Sequence, residues 1–259
     1  MLAALCRLGL EVPQLDPARA FYEERLGLGP AASGDSRVRY AVGPTALVLR
    51  RPTDRPRGGV HTHYAFSTTP PAYARWRERL ADLDPTEFSF GASDSLYVYD
   101  PAGHCVEIGS VDDDGPGTEA SDGETRTGPG ETTDADVAPP LSGIFEVVLE
   151  VVDLSRAESR YRRLGFEVVD RGETRRRVRL SGPVDLELWE PQLGIADARG
   201  GLHVDLAFET ADPAAAVEAG APWPDGPESV TAGPDDELPG LRVVDDDGHV
   251  LTFVASETE

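Results

Sequence analysis

The chain has no lysine: all 24 of its basic residues are arginine. It has little cysteine, only Cys6 and Cys105, which excludes a disulfide framework. Both alternate with apolar neighbours and read as small core thiols. Long apolar runs are also lacking. No stretch of the 259 residues approaches the roughly 20 apolar positions that a membrane-spanning helix needs. The segment Met1 to Arg7 is too short and too quickly polar to act as a secretion signal, so the expected location is the cytoplasm. There is no phosphate-binding glycine loop, no Gly-x-Ser-x-Gly nucleophile elbow and no Cys-x-x-Cys zinc spacing.

What the chain has in excess is acid. Asp and Glu number 47, giving a net charge of −23. A surface this negative repels nucleic acid and anionic membranes, which argues against both as partners. The acid excess is spread along the chain and reads as a halophilic surface, with its self-repulsion screened by salt. A small anionic ligand would need a local basic patch, and Arg50, Arg51, Arg55 and Arg57 form one.

Residues 112–140 stand apart, with nine acidic residues, one arginine and Val137 as the lone bulky aliphatic. Such a segment cannot bury enough apolar surface to offset its ordering entropy, so it reads as a charge-extended linker. The flanks, 1–111 and 141–256, repeat each other. Arg7-Leu-Gly-Leu-Glu-Val-Pro-Gln-Leu15 matches Glu146-Val-Val-Leu-Glu-Val-Val-Asp-Leu154. Both run on to Leu-Gly, at Gly27 and Gly165, with one residue fewer in the second copy. Gly58 to Phe66 matches Gly200 to Phe208, and Leu96 to His104 matches Leu241 to His249. Three matched blocks in one order indicate a tandem duplication.

Each copy follows one grammar. Period-two strands are expected at 5–12 and 144–151. Helices follow, entered at Asp16-Pro17 and at Asp153 to Ser155 and closed by Leu-Gly. Hairpins turn at Gly43-Pro44 and Gly182-Pro183. A second strand, helix and hairpin begin at 60–67 and 202–209, with Trp76 packed in a helix over 71–81. The class is α+β, and each copy is two βαβββ modules, four in all. His104 and His249, just after turn glycines, are expected at the surface.

The Phe21-Tyr22 and Leu26-Gly27 pairs, the Gly-x-His-x-His-x-Ala-Phe strand and Asp100-Pro101-x-Gly103-x-x-x-Glu107 together resemble the vicinal oxygen chelate superfamily. That group includes glyoxalase I, bleomycin-resistance proteins and extradiol dioxygenases. Gly91-Ala-Ser-Asp94 with Leu96-Tyr97 looks most like its two-domain catechol 2,3-dioxygenase branch. The resemblance implies paired modules curled into half-barrels, each able to hold a divalent metal on residues from the first and last strand of each module. Those places are Arg7, Val48, His63 and Glu107 in the first copy, and Glu146, Glu187, Asp205 and Thr252 in the second. Extradiol enzymes require His, His and Glu among them; glyoxalases use His, Gln or Glu at all four.

The first copy retains His63 and Glu107, and His61, two residues along the same strand face, is the candidate third ligand for Fe(II) or Mn(II). Adjacent same-face side chains stand roughly 6–7 Å apart, which strains that set. The opposing reading needs no metal: Arg7 forks onto Glu107 or receives an anionic ligand. Tyr97 is a ligand-facing candidate, and Tyr64 and Tyr99 are acid–base or core groups. Glu146, Glu187 and Asp205 would suit a hard cation, but Thr252 lacks the closing charge, so the second copy reads as degenerate. The resemblance thus implies a metal-dependent dioxygenase for a small aromatic diol. The alternatives are a metal-free small-molecule binder and a glyoxalase-type isomerase, the last weakened by Val48.

Overall fold

A computed structural model describes residues 1–52, 60–90, 93–111, 137–191, 204–234 and 237–256. Most of the expected linker, the Arg55 and Arg57 part of the basic patch, Gly91, and the 202–203 start of one strand lie outside these residues.

Four βαβββ modules follow one another. The first is β1 (Leu2–Glu11), α1 (Leu15–Ala20), β2 (Pro30–Ser33), β3 (Arg37–Val42) and β4 (Thr45–Arg50). The second is β5 (Thr62–Thr68), α2 (Pro70–Arg79), β6 (Thr86–Phe90), β7 (Ser93–Tyr99) and β8 (Cys105–Ser110). The third is β9 (Gly143–Glu150), α3 (Leu154–Arg163), β10 (Glu167–Arg171), β11 (Arg177–Ser181) and β12 (Asp185–Trp189). The fourth is β13 (Asp205–Thr210), α4 (Pro213–Gly220), β14 (Glu228–Ala232), β15 (Leu238–Val244) and β16 (Val250–Ala255).

The helix boundaries have local causes. Asp153 and Asp212 cap α3 and α4 by accepting from backbone N–H groups of the first turn, which satisfies donors the helix leaves open. Gly27 (φ +67°) and Gly165 (φ +103°) leave the first helix of each copy in the left-handed region, as the Leu-Gly signal predicts. The extra residue of the first copy has a structural outlet. α1 continues into a π-helical turn over Phe21–Arg25, closed by Leu26 N–H donating to the Phe21 carbonyl. A π turn is how a helix absorbs one inserted residue.

The modules pair into two curled eight-stranded sheets. One has the order β14-β15-β16-β13-β1-β4-β3-β2, the other β10-β11-β12-β9-β5-β8-β7-β6. Each sheet therefore takes one module from each copy: first with fourth, second with third. The seams are antiparallel, Gly9 opposite Asp205 on β1 and β13, and Ala65 opposite Glu146 on β5 and β9. Alternation sends one set of side chains into each sheet's concave cup. The other set, Leu8, Leu10, Tyr64, Phe66 and Phe208, joins Tyr22, Trp76 and Tyr161 of the helices in one continuous core. Trp76, Cys6 and Cys105 are buried as expected.

His104 and His249 correct the sequence reading, because both are buried. Each follows a turn built on a buried aspartate. Asp100 accepts from the backbone N–H groups of Ala102 and His104 and stands 2.8 Å from His104 Nδ1. Burial raises the Asp100 carboxyl, but His104 outweighs it and leaves the group below the usual range. Tyr22 donates to Asp100 and meets Tyr64, so Tyr64 belongs to the core. In the second copy Asp245 binds the N–H groups of Asp247 and His249 and the Tyr161 hydroxyl.

Candidate metal centre

The cup of the second sheet gathers acid. His63 on β5, Glu107 on β8 and Glu146 on β9 bring their ligand atoms within 4.8 Å of one another, and all three are buried. Neighbouring first strands and a parallel last strand make this meeting, since Ala65 pairs across to Glu146 on one side and to Glu107 on the other. His63 Nε2 stands 2.9 Å from Glu107 Oε2, and His63 Nδ1 is buried with no hydrogen-bond partner. Glu187 on β12 is the next acid. It accepts from Trp189 Nε1 at 2.7 Å and from Arg177 at 3.0 Å.

Among the described residues two arginines serve this cluster, and both are shared. Arg179 lies 3.1 Å from Glu146 and 2.9 Å from Asp185; Arg177 divides itself between Glu187 and Asp170. Burial, then the charges of Glu187 and Glu107, hold the Glu146 carboxyl well above its usual range. Buried like charges that cannot all ionise unaided are what a bound cation would relieve. The donor set, one imidazole and several carboxylates at one point, fits a divalent ion.

The remaining candidates fall around this centre. Tyr97 packs edge-on against His63 at 5.5 Å, and its phenol is pushed up by burial and by Glu107 and Glu146. It therefore lines the cup, whereas Tyr99 is 40% exposed. His61 stacks on Trp189, rings 9° from parallel. It forms a separate set with His63 and Cys105, so His61 and Glu107 fall in different groups. Burial, then Glu107, push the Cys105 thiol up, so without an ion beside it the sulfur stays protonated.

The cup of the first sheet is the opposite. Asp205, 1% exposed, is ringed by Arg50 at 3.0 Å, Arg7 at 3.3 Å and Arg242 at 3.6 Å. Burial raises its carboxyl, but the three arginines outweigh it and hold the group low. The expected Arg7–Glu107 fork is replaced by two pairings in two sheets, Arg7 with Asp205 and His63 with Glu107. Thr252, which donates to Asp205, and Val48 complete this cup.

Solved structures of the same architecture exist. A Bacillus subtilis protein provisionally named a dioxygenase superposes with a TM-score of 0.65 at 15% identity, covering 99% of this chain and 86% of that one. Glyoxalase I from Zea mays gives 0.64 at 17% identity, covering 97% and 92%. The fold is the one that these two structures share. No known family profile and no curated protein matches the sequence.

The eight positions named from the resemblance regroup according to which modules share a sheet. Of the eight positions that the resemblance names, His63, Glu107, Glu146 and Glu187 lie in the second sheet, and Arg7, Val48, Asp205 and Thr252 in the first. Taken copy by copy, neither set is complete. Taken sheet by sheet, one cup holds an imidazole or carboxylate at every place. The signal was present in the sequence as eight positions, and only their grouping was missing.

Proposed function

We propose that the second-sheet cup holds one divalent ion, Mn(II) or Fe(II), on His63, Glu107 and Glu146 with Glu187 alongside, and that the protein is a metal-dependent enzyme acting on a small oxygenated substrate. The observation that carries this is the convergence of the ligand atoms of buried His63, Glu107 and Glu146 within 4.8 Å of one another. One imidazole among carboxylates departs from the two-histidine set of oxygen-activating iron sites. The set favours acid–base chemistry of the glyoxalase type, an isomerisation or lyase step beside a carbonyl. A bound ion would polarise the substrate oxygens. The protein's own groups do the rest. Glu107 is fixed by His63. Glu146 and Glu187 are tethered to Arg179 and Arg177 and can each take up or return a proton at a carboxylate oxygen. Trp189, Tyr97 and His61 wall the cup with aromatic surface and exclude water.

A second reading, ring cleavage of an aromatic diol, is favoured by the His61–His63 set, which would supply a second imidazole. Elemental analysis of protein purified in high salt without chelators decides first. Near one equivalent of metal, lost in both His63→Ala and Glu146→Gln, supports the centre. Retention in Glu146→Gln with loss in His63→Ala would confine the site to the first copy. No metal after incubation with Mn(II), Fe(II), Zn(II) and Ni(II) sinks the reading and leaves a metal-free binder. Loaded protein is then assayed on hemithioacetals of 2-oxoaldehydes and on catechols, the first expected to turn over.

A further inference from the structure

Beside the carboxylate cluster lies a second donor set of different chemistry. His61, His63 and Cys105 are all buried, and their ligand atoms come within 4.8 Å of one another. The backbone makes this meeting. Cys105 opens β8 opposite His63 on β5, and His61 precedes β5 on the face that His63 shares. Trp189 stacks on His61 at 5.5 Å and meets His63 edge-on at 5.9 Å. The indole is itself fixed, since its Nε1 donates to Glu187. Neither His61 nor Cys105 is among the eight positions that the resemblance names.

The decisive atom is His63 Nδ1. The residue is buried, and this nitrogen has no hydrogen-bond partner among the described residues. The other ring nitrogen, Nε2, stands 2.9 Å from Glu107 Oε2. A metal-bound histidine commonly donates its second N–H to a carboxylate, which fixes the tautomer and the ring. His63 already has that carboxylate. Its open nitrogen is the one nearer the backbone, at the depth that a cysteine sulfur reaches from the paired position.

We infer that His61, His63 through Nδ1, and Cys105 form a second site, for one thiophilic transition-metal ion of the zinc or cobalt class. Two imidazoles and a thiolate suit such ions, whereas Mg, Ca and Mn prefer oxygen. Bonds of about 2.0–2.3 Å would draw the ligand atoms to about 3.5 Å apart, a small closure that side-chain rotation supplies. The thiol proton leaves as the ion binds, and Tyr99, opposite Cys105 on β7, supports the sulfur with a hydrogen bond. The inference does not rest on the proposed function, which uses His63 with Glu107 and Glu146.

The test is anaerobic titration of the metal-free full chain with Co(II), read by absorption. One equivalent should raise a thiolate-to-cobalt charge-transfer band in the near ultraviolet, and Zn(II) should abolish it by replacement. Cys105→Ser and His61→Ala should each remove the band. Cys6→Ser should keep it, because Cys6 lies in the other sheet, bonded to the Ala207 carbonyl. Glu146→Gln should keep it too, while Cys105→Ser keeps Mn(II) binding, so the two readings can fail separately. No band at several equivalents, a band that survives Cys105→Ser, or one that vanishes in Cys6→Ser overturns the site. Because a variant could lose its fold, each is checked by its urea unfolding midpoint. X-ray absorption at the zinc edge of the loaded parent gives a readout that needs no variant. One sulfur at about 2.3 Å supports the site, and a shell of nitrogen and oxygen alone overturns it.

Discussion

The two cups are built on the same four strand positions and have opposite chemistry. One collects a histidine and three glutamates; the other collects arginines around an aspartate. Backbone geometry is shared down to the seam, where Gly9 faces Asp205 in one sheet and Ala65 faces Glu146 in the other. The difference is therefore carried by side chains alone. A cup whose carboxylates outnumber their cations stays receptive to a metal ion. A cup that supplies its own cations has closed that option, with Arg7 paired to Asp205. The fold fixes where ligands can converge, and the residues at those places decide what converges.

The sharpest way to break the comparison is to remove the acid from each cup. Asp205→Ala removes the buried carboxylate that Arg7, itself 4% exposed, pairs with. Breaking a buried pair on one side typically costs about 3–5 kcal/mol, and urea unfolding at fixed salt should show a loss of that size. A loss below about 1 kcal/mol, the scale of an exposed pair, would mean that the first cup is not held by its ion pairs. The next effect is metal-dependent. Mn(II) at a hundred times its dissociation constant should stabilise the parent by about 2.7 kcal/mol. That gain should vanish in His63→Ala and Glu146→Gln and survive in Arg50→Gln. Its loss in Arg50→Gln would show that the two cups are not independent.

Protons sharpen the contrast further, because the two acids shift in opposite directions. Glu146 is raised above the ordinary 4.5: the folded state holds its proton longer than the unfolded state does. Its contribution is full below the unfolded value and is lost as pH rises through the folded one. Asp205 is lowered below 3.8: its contribution is present above the unfolded value and is lost as pH falls through the folded one. Metal-free Glu146→Gln should thus be more stable than the parent near neutral pH, the gap closing as pH falls towards 4.5. Asp205→Asn should be less stable near neutral pH, that gap closing below 3.8. Unfolding series over pH check both, and parallel curves for the two variants would show that the cups are electrostatically alike.

Much of this was legible in the sequence and some was not, for identifiable reasons. The repeat, the βαβββ grammar, the hairpins at Gly43 and Gly182 and the left-handed exits at Gly27 and Gly165 are local features, written in neighbouring residues. The pairing of modules is not local. β1 could join β5 or β13 with the same alternation, and choosing β13 moves Arg7 away from Glu107 and brings Glu146 to it. His63 and Glu107 could be found from the motif, while the value of Glu146 and Glu187 was hidden by assigning them to the wrong cup. His104 and His249 were misplaced because a residue after a turn glycine is usually solvated. The recurrence of Asp-x-x-Gly-His in both copies was the available sign that the aspartate holds the turn from inside. The one-residue difference between copies likewise marked the π turn at Phe21–Arg25.

The smallest predicted effect tests whether the seam itself matters. Gly9 occupies the place that Ala65 holds in the metal cup. A Cβ at Gly9 would stand 3.1 Å from Asp205 Cβ, closer than ordinary contact, so β13 must yield by a few tenths of an ångström. Gly9 is not among the glycines with positive φ, so alanine brings no backbone penalty and crowding is the whole cost. Gly9→Ala should lower stability by about 1 kcal/mol, the mild end of overpacking. Metal stoichiometry should stay at that of the parent. If the substitution instead altered metal content, the displacement would have to pass through the shared core between the sheets, and the two cups would be coupled through packing and not through charge.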